Sequence, residues 1–357
     1  MLRRAVAGLH AAAPAVAVAV ALVVAGCADH DASLVFPDVD AGPVAPSQQS
    51  YTIVVLPDTQ YYASKWHDVF VAQTKWVLDN REAEHIAFVV HTGDIVDADR
   101  PEQWAVASQA MRALDGQVPY VVTAGNHDYT DLADRMGMGN IYFPAAQLAE
   151  LPGFGDTFEP DHIENSYSVF LVPNGRWLVV ALEFGPRDEV LDWANRVLEL
   201  FHDVPAIIVT HAYLYHDGTR YDHTNGRGQY FNPHAYVMMG QPGTTINDGE
   251  EIWAKLVAPN PNVKLVLSGH DVSGAGIPPG TTARLTSTRP DGTEVHQILA
   301  NYQTCTAPSC DEVHGGNGFL RLLRFLPEAG TISVATYSPY LDQSLSDPDN
   351  AFTLDLN

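Results

Sequence analysis

From Tyr51 onward the chain alternates apolar runs with amphipathic stretches. Residues 52–56 read as a buried strand, and Val69, Phe70, Ala72, Trp76 and Val77 then recur on one helical face. Residues 85–90 read as a second strand. A helix over 101–115 comes next, with Pro101 in the first turn, where a missing N–H is tolerated. Residues 119–123 give a third strand. The runs 167–172 and 176–184 flank Pro173-Asn174-Gly175, turn chemistry that predicts a hairpin. Val190, Trp193, Ala194, Val197, Leu198 and Phe201 mark an amphipathic helix. Two further buried strands, 206–209 and 263–267, are separated by a helix near 249–258. The tail differs: 281–288, 294–300, 319–325 and 332–337 read as consecutive strands. Strand–helix units succeeded by a strand-rich tail predict an α/β domain with two packed sheets.

Ahead of this pattern lie two segments that do not belong to it. Met1-Leu2-Arg3-Arg4 is basic, residues 5–24 are almost wholly apolar, and Val24-Ala25-Gly26 leads into Cys27. This resembles a bacterial lipoprotein signal over residues 1–26, with lipid on Cys27. An uncleaved anchor is the alternative, since about 20 apolar residues span a bilayer; His10 and Pro14 weigh against it. Residues 27–50 mix Ala, Asp, Pro, Ser and Gln without a period and read as a disordered tether. The expectation is an exported protein, on the periplasmic or cell-surface side, whose membrane contact is the lipid. Cys305 and Cys310 flank a turn-like spacer, and export makes a disulfide between them the better reading over a metal-binding pair.

Composition narrows the partners. With 46% hydrophobic residues the chain can bury a large core, and a formal charge of −24 argues against tracking a nucleic-acid backbone. That balance says little about catalysis, because metal ions create their own positive field.

The chemistry lies at the strand ends. The first strand runs into Pro57-Asp58-Thr59-Gln60, the second into His91-Thr92-Gly93-Asp94-Ile95-Val96-Asp97, and the third into Ala124-Gly125-Asn126-His127-Asp128. Later strands end in Thr210-His211 and Ser268-Gly269-His270-Asp271. Singly, each has a structural reading: a turn, a loop cap, a satisfied core histidine. Together, five successive strands place Asp, Asp, Asn, His and His at one sheet edge, where ligands of open α/β sheets gather. Carboxylates with imidazoles and an amide oxygen are a donor set for Mn, Fe or Zn.

In this order the residues resemble the calcineurin-like metallophosphoesterase family over roughly residues 51–300, most specifically in Gly93-Asp94-x-x-Asp97 and Gly125-Asn126-His127-Asp128. The resemblance implies a four-layer α/β/β/α sandwich with two mixed sheets over 51–357, two divalent metal ions and hydrolysis of a phosphomonoester or phosphodiester through a metal-activated water. By position Asp94 would bridge the ions, Asn126, His211 and His270 would complete the second, and Asp58 would serve the first. His127 would face the scissile phosphate, oriented by Asp97.

Two departures fall on the first metal. Gln60 stands where the family has His, as a weak oxygen ligand, and Val272 replaces the last histidine, leaving Asp271 as a candidate substitute. Harder donors shift such a site toward Mn, Mg or Ca, or loosen it. The alternative function is a degenerate single-metal domain that binds a phosphorylated ligand without turnover. The Pro57–Tyr62 opening resembles an exported bacterial subgroup with an Asp-x-Gln first motif. A polar insertion over 213–250 carries His216, Asn225, Arg227 and His234. It reads either as a binding loop, with Arg227, Asn225 and His216 on a phosphorylated small molecule, or as a solvated excursion. Tyr62 is a candidate to stack on the substrate, with core packing as its other reading.

Overall fold

The computed structural model describes residues 49–272, 281–303 and 313–356. Strands β1 (Tyr51–Leu56), β2 (Ile86–His91) and β3 (Tyr120–Val122) run parallel, β2 in the middle of the three. Helices His67–Asn80 and Pro101–Arg112 connect them. The chain then builds a second sheet from β4 (Phe154–Thr157), β5 (Ser166–Val172), β6 (Gly175–Leu182), β7 (Ala206–Thr210), β8 (Val263–Ser268), β9 (Thr281–Thr288) and β10 (Glu294–Asn301). Its order is β4-β5-β6-β7-β8-β10-β9, with the expected antiparallel hairpin at β5–β6. Finally β11 (Leu320–Leu326) returns to the first sheet antiparallel to β1, and β12 (Thr331–Ser338), β13 (Gln343–Leu345) and β14 (Phe352–Asp355) extend it.

Alternation along the strands accounts for the layers. Ile53 and Val55 pack in one core with Ile207, Val209, Leu265 and Leu267 of the other sheet. Their neighbours Val54 and Leu56 turn outward onto Val69, Phe70 and Val77 of a helix. On the second sheet Ile208 and Val266 turn outward onto Val190, Ala194, Val197 and Leu198, with Ile252 and Leu256 beside them. Helix, sheet, sheet, helix is the four-layer arrangement expected, and both sheets are mixed. Strands buried on both faces read as continuous apolar runs, which is why the sequence announces them.

The tail strands do not form a block of their own. β9 and β10 complete the second sheet while β11–β14 complete the first, because β1 and β8 each need a hydrogen-bonding partner on their second edge. Three short strands, β4, β13 and β14, carry too little apolar alternation to be read from sequence. The helix near 249–258 divides into an α-turn, Gly249–Ile252, and a π-turn, Trp253–Val257. Among the described residues no helix is long and apolar enough to cross a membrane. Cys27, with the signal and most of the tether, and the pair Cys305 and Cys310 lie outside the described residues.

Candidate metal centre

The polar strand ends converge, but not from one sheet edge as the sequence pattern suggests. Those after β1, β2 and β3 come from the first sheet and those after β7 and β8 from the second, so the centre sits across both. One donor atom each from Asp94, His211 and His270 lies within 4.8 Å of the others, all three residues buried. Asp58 joins them: its Oδ2 is 4.0 Å from His211 Nε2, and it accepts hydrogen bonds from His270 N and Asn301 Nδ2. Such crowding explains two motif glycines. A Cβ on Gly125 would stand 2.2 Å from Asp94 Oδ1, and one on Gly269 would stand 2.2 Å from Asp58 Oδ1. Asp94 (φ 49°) and His270 (φ 74°) hold left-handed backbone that non-glycine residues seldom adopt, a conformation that concentrates at functional sites.

The donors fit a cation. His211 Nδ1 donates to the Thr92 carbonyl at 2.8 Å, so a neutral ring turns the lone pair of Nε2 toward Asp94 Oδ2 at 3.2 Å. An imidazole lone pair facing carboxylates is repulsive unless positive charge stands there. Burial opposes a charge on His211, yet Asp94 and Asp58 outweigh it and push its pKa up to about 9. Burial, relieved in part by His211, pushes Asp58 up to about 7, whereas Asp94, also penalised by burial, is drawn below the ordinary carboxylate range by His211 and His127. His270 donates from Nε2 to the Phe231 carbonyl at 2.8 Å and, kept neutral by burial and His211, falls to about 3. Gln60 Oε1 and Asn126 Oδ1 are buried without a hydrogen-bond partner among the described residues. A buried amide oxygen left alone is costly, and a metal ion satisfies it.

His127 is placed by its neighbours' main chain. Its N–H donates to Asp94 Oδ1 at 2.9 Å and its Nδ1 to the Asp97 carbonyl at 2.8 Å, which leaves Nε2 to give or take a proton. Burial works against its charge, but Asp94, the Asp97 carbonyl and the Asp97 charge raise its pKa. Asp97 thus orients the ring through its carbonyl, with its carboxylate acting through charge.

Residues 51–274 match the family model described as calcineurin-like phosphoesterase. The chain belongs to that family. It carries candidate metal-binding residues in Asp94, His211 and His270. It is 33% identical over 320 residues to the Bacillus subtilis protein titled "Uncharacterized protein YvnB", a match covering 86% of this chain and 21% of that one. The chain therefore spans about a fifth of that relative's length. Similar solved structures include GAP50, the anchor in the inner membrane complex of Plasmodium, at 13% identity and a TM-score of 0.45, covering 86% and 89% of the two chains. Another is the NAD nucleotidase NadN of Haemophilus influenzae, at 12% identity and a TM-score of 0.41, covering 86% and 49%.

Several residues of the phosphoesterase centre escape a reading of the sequence. Asp128 accepts from Ile95 N and Val96 N through Oδ1 and from Gly125 N through Oδ2, at 2.8–3.0 Å, tying the second and third motif loops together. His91, held neutral near 3 by burial and His211, accepts from Gly93 N and donates to Thr59 Oγ1, joining the first two loops. Asn301 ends β10 as a lone polar residue after an apolar run, a signal identical in kind to the motifs but outside them.

Other expectations change. Asp271 turns one carboxylate oxygen away from the first-metal residues: its Oδ2 accepts from His216 N at 2.6 Å and lies 3.0 Å from His216 Nδ1. His216, half-buried, turns its Nδ1 to Asp271. Tyr62 is buried in the helix-side core and its hydroxyl accepts from Gly318 N at 2.9 Å, so its ring cannot stack on a substrate. The 213–250 insertion is neither wholly lid nor wholly solvated. Tyr213, Leu214, Tyr215, Tyr221 and Met238 are buried, and Phe231 reaches His270. Asn225 and Arg227 stand exposed at the tip, where Asn225 Oδ1 accepts from Arg227 N at 2.7 Å.

Proposed function

We propose that the chain hydrolyses a phosphomonoester or phosphodiester at a two-metal centre. The second ion would be held by Asp94, Asn126, His211 and His270, and the first by Asp58, Asp94 and Gln60. The observation carrying this is the His211 nitrogen that faces two carboxylates, together with two amide oxygens of the same motifs, Gln60 Oε1 and Asn126 Oδ1, that are buried without a hydrogen-bond partner among the described residues. Divalent ions at such a centre neutralise phosphate charge and make water a nucleophile near neutral pH. The protein's own share is positioning. Asp128 and His91 hold the loops, Asp94 fixes the His127 main chain, and the Asp97 carbonyl commits the ring to Nδ1–H. His127 Nε2 is then the group that supports charge on the phosphate or protonates the leaving oxygen.

Binding without turnover is the second reading, favoured by Asp271 being turned to His216 and by Val272 offering no donor. The full chain, stripped of metal and reloaded with Mn²⁺ or Zn²⁺, is expected to hydrolyse p-nitrophenyl phosphate or its bis ester at least ~100-fold faster than the stripped chain, an acceleration well within what metal ions supply. A chain carrying two ions that cleaves neither ester, nor any of a wider phosphoester panel, would move the assignment to the binding reading.

The apolar leader ending in Cys27 supports export with a lipid anchor, the tether spacing the domain from the membrane. Cys27→Ser is expected to shift the chain from the detergent-extracted membrane fraction to the soluble one. Wild-type protein already soluble in its native host would exclude the anchor.

A further inference from the structure

The insertion gathers a second set of metal-type side chains. One donor atom each from His223, His234, Asp248 and Glu251 lies within 4.8 Å of all the others. The two imidazoles stack with centroids 3.6 Å apart and planes 24° off parallel. His223 Nδ1 is 3.0 Å from Asp248 Oδ2, and His234 Nε2 is 2.6 Å from Glu251 Oε2. Both carboxylates are braced from behind. Asp248, fully buried, accepts from His223 N and Asn232 Nδ2 through Oδ2, while Glu251 Oε2 accepts from Asp248 N at 3.0 Å. Among the described residues neither acid has a lysine or arginine ion pair: Lys255, nearby in sequence, is committed to Asp188 and Asn247. An open cavity of about 390 Å³, bordered by His223, His234, Asn232 and Gly228, gives an ion a path from solvent.

We propose that this cluster is a zinc site, distinct from the catalytic centre, that fastens the insertion. Two imidazoles and two carboxylates are a four-ligand N/O set that Zn²⁺ accepts tetrahedrally at about 2.0–2.2 Å. Hydrogen bonds to the carboxylates supply the outer support such ligands need. Binding replaces the ring protons that now bridge His223 to Asp248 and His234 to Glu251, so the four side chains close onto the ion with small side-chain movements. The consequence reaches the catalytic centre along the chain. Asn232, bonded to Asp248, is adjacent to Phe231, whose carbonyl holds His270 Nε2. A zinc ion here fixes the segment that orients His270.

Co²⁺ titration of the metal-stripped full chain tests this, because tetrahedral Co²⁺ absorbs visible light intensely. Asp94→Ala with His211→Ala disables the catalytic centre, and that chain is expected to bind one Co²⁺ with a tetrahedral spectrum. Adding His234→Ala should weaken it by more than the ~10–100-fold that loss of an outer partner costs. His223→Gln in the otherwise intact chain is an exposed change compatible with folding, and it is expected to lower the zinc content by one ion per chain. Unchanged zinc content in His223→Gln overturns the proposal. So does a weak octahedral spectrum, or the absence of Co²⁺ binding, in an Asp94→Ala, His211→Ala chain whose circular dichroism is native.

Discussion

His127→Ala is expected to lower kcat for an alkyl phosphate by about 10²–10⁴-fold, the range that a positioned proton donor supplies. Metal content should stay at the wild-type value. The two effects separate because the His127 contact with Asp94 is made by the main-chain N–H, which alanine keeps. Only the ring is lost, with its Nδ1 bond to the Asp97 carbonyl. Comparing leaving groups sharpens the result. An acidic phenol leaves with little help, so a proton-donating His127 matters less for p-nitrophenyl phosphate than for an alkyl ester. If the ring acts only by stabilising charge on the phosphate, both substrates suffer alike. Full activity on both would remove His127 from the mechanism, and loss of bound metal would make it a structural residue.

The largest stability effect is expected away from the ligands, at Asp128. Its carboxylate is buried and satisfies three main-chain N–H groups, those of Ile95, Val96 and Gly125. Asp128→Ala leaves all three without an acceptor. At about 1–3 kcal/mol for each orphaned donor, and with some relief from entering water, the loss should be about 3–6 kcal/mol in urea unfolding. Asp128→Asn separates bonding from charge. Its oxygen can keep the two bonds at Ile95 and Val96, but its amide must then face the Gly125 N–H, so a cost of about 1–3 kcal/mol is expected. Burial and the neighbouring Asp94 charge push Asp128 up to about 7, above its unfolded value. Its contribution to stability is therefore highest below pH 4 and declines as pH rises toward 7, a slope that Asp128→Asn should flatten. If Asp128→Ala unfolds at the wild-type midpoint, the brace is not what joins the loops.

Much of this centre is legible in the sequence because its residues obey a local rule: an apolar strand stops and a polar side chain takes over. Asp58, Asp94, Asn126, His211 and His270 all obey it, and Asp58, Asp94, His211 and His270 do converge. The division between sheets is not legible, since periodicity shows that a strand is buried but not which strand lies beside it. The direction of Asp271 is hidden for a related reason. Its place directly after His270 is fixed by sequence, while its direction is fixed by His216, fifty-five positions earlier. Tyr62 stays undecided between core and substrate until Gly318, far along the chain, supplies the partner for its hydroxyl. The cluster at His223, His234, Asp248 and Glu251 leaves no trace as a motif, because its members are spaced by a loop path rather than by a strand or helical repeat.

The position of β1 carries a consequence for how the molecule can be divided. It is the first strand made, yet it lies inside its sheet, with β2 on one edge and β11 on the other. The stretch bearing the family signature stops at residue 274, before β11 begins at Leu320. A protein trimmed to that stretch would keep the ligands Asp58 through His270 and expose a bare apolar edge along Ile53, Val54 and Val55, which invites pairing with another copy. In a chain growing from its N-terminus the same edge stays open until some 270 residues have been added, so the signature is read early and the sheet is closed late.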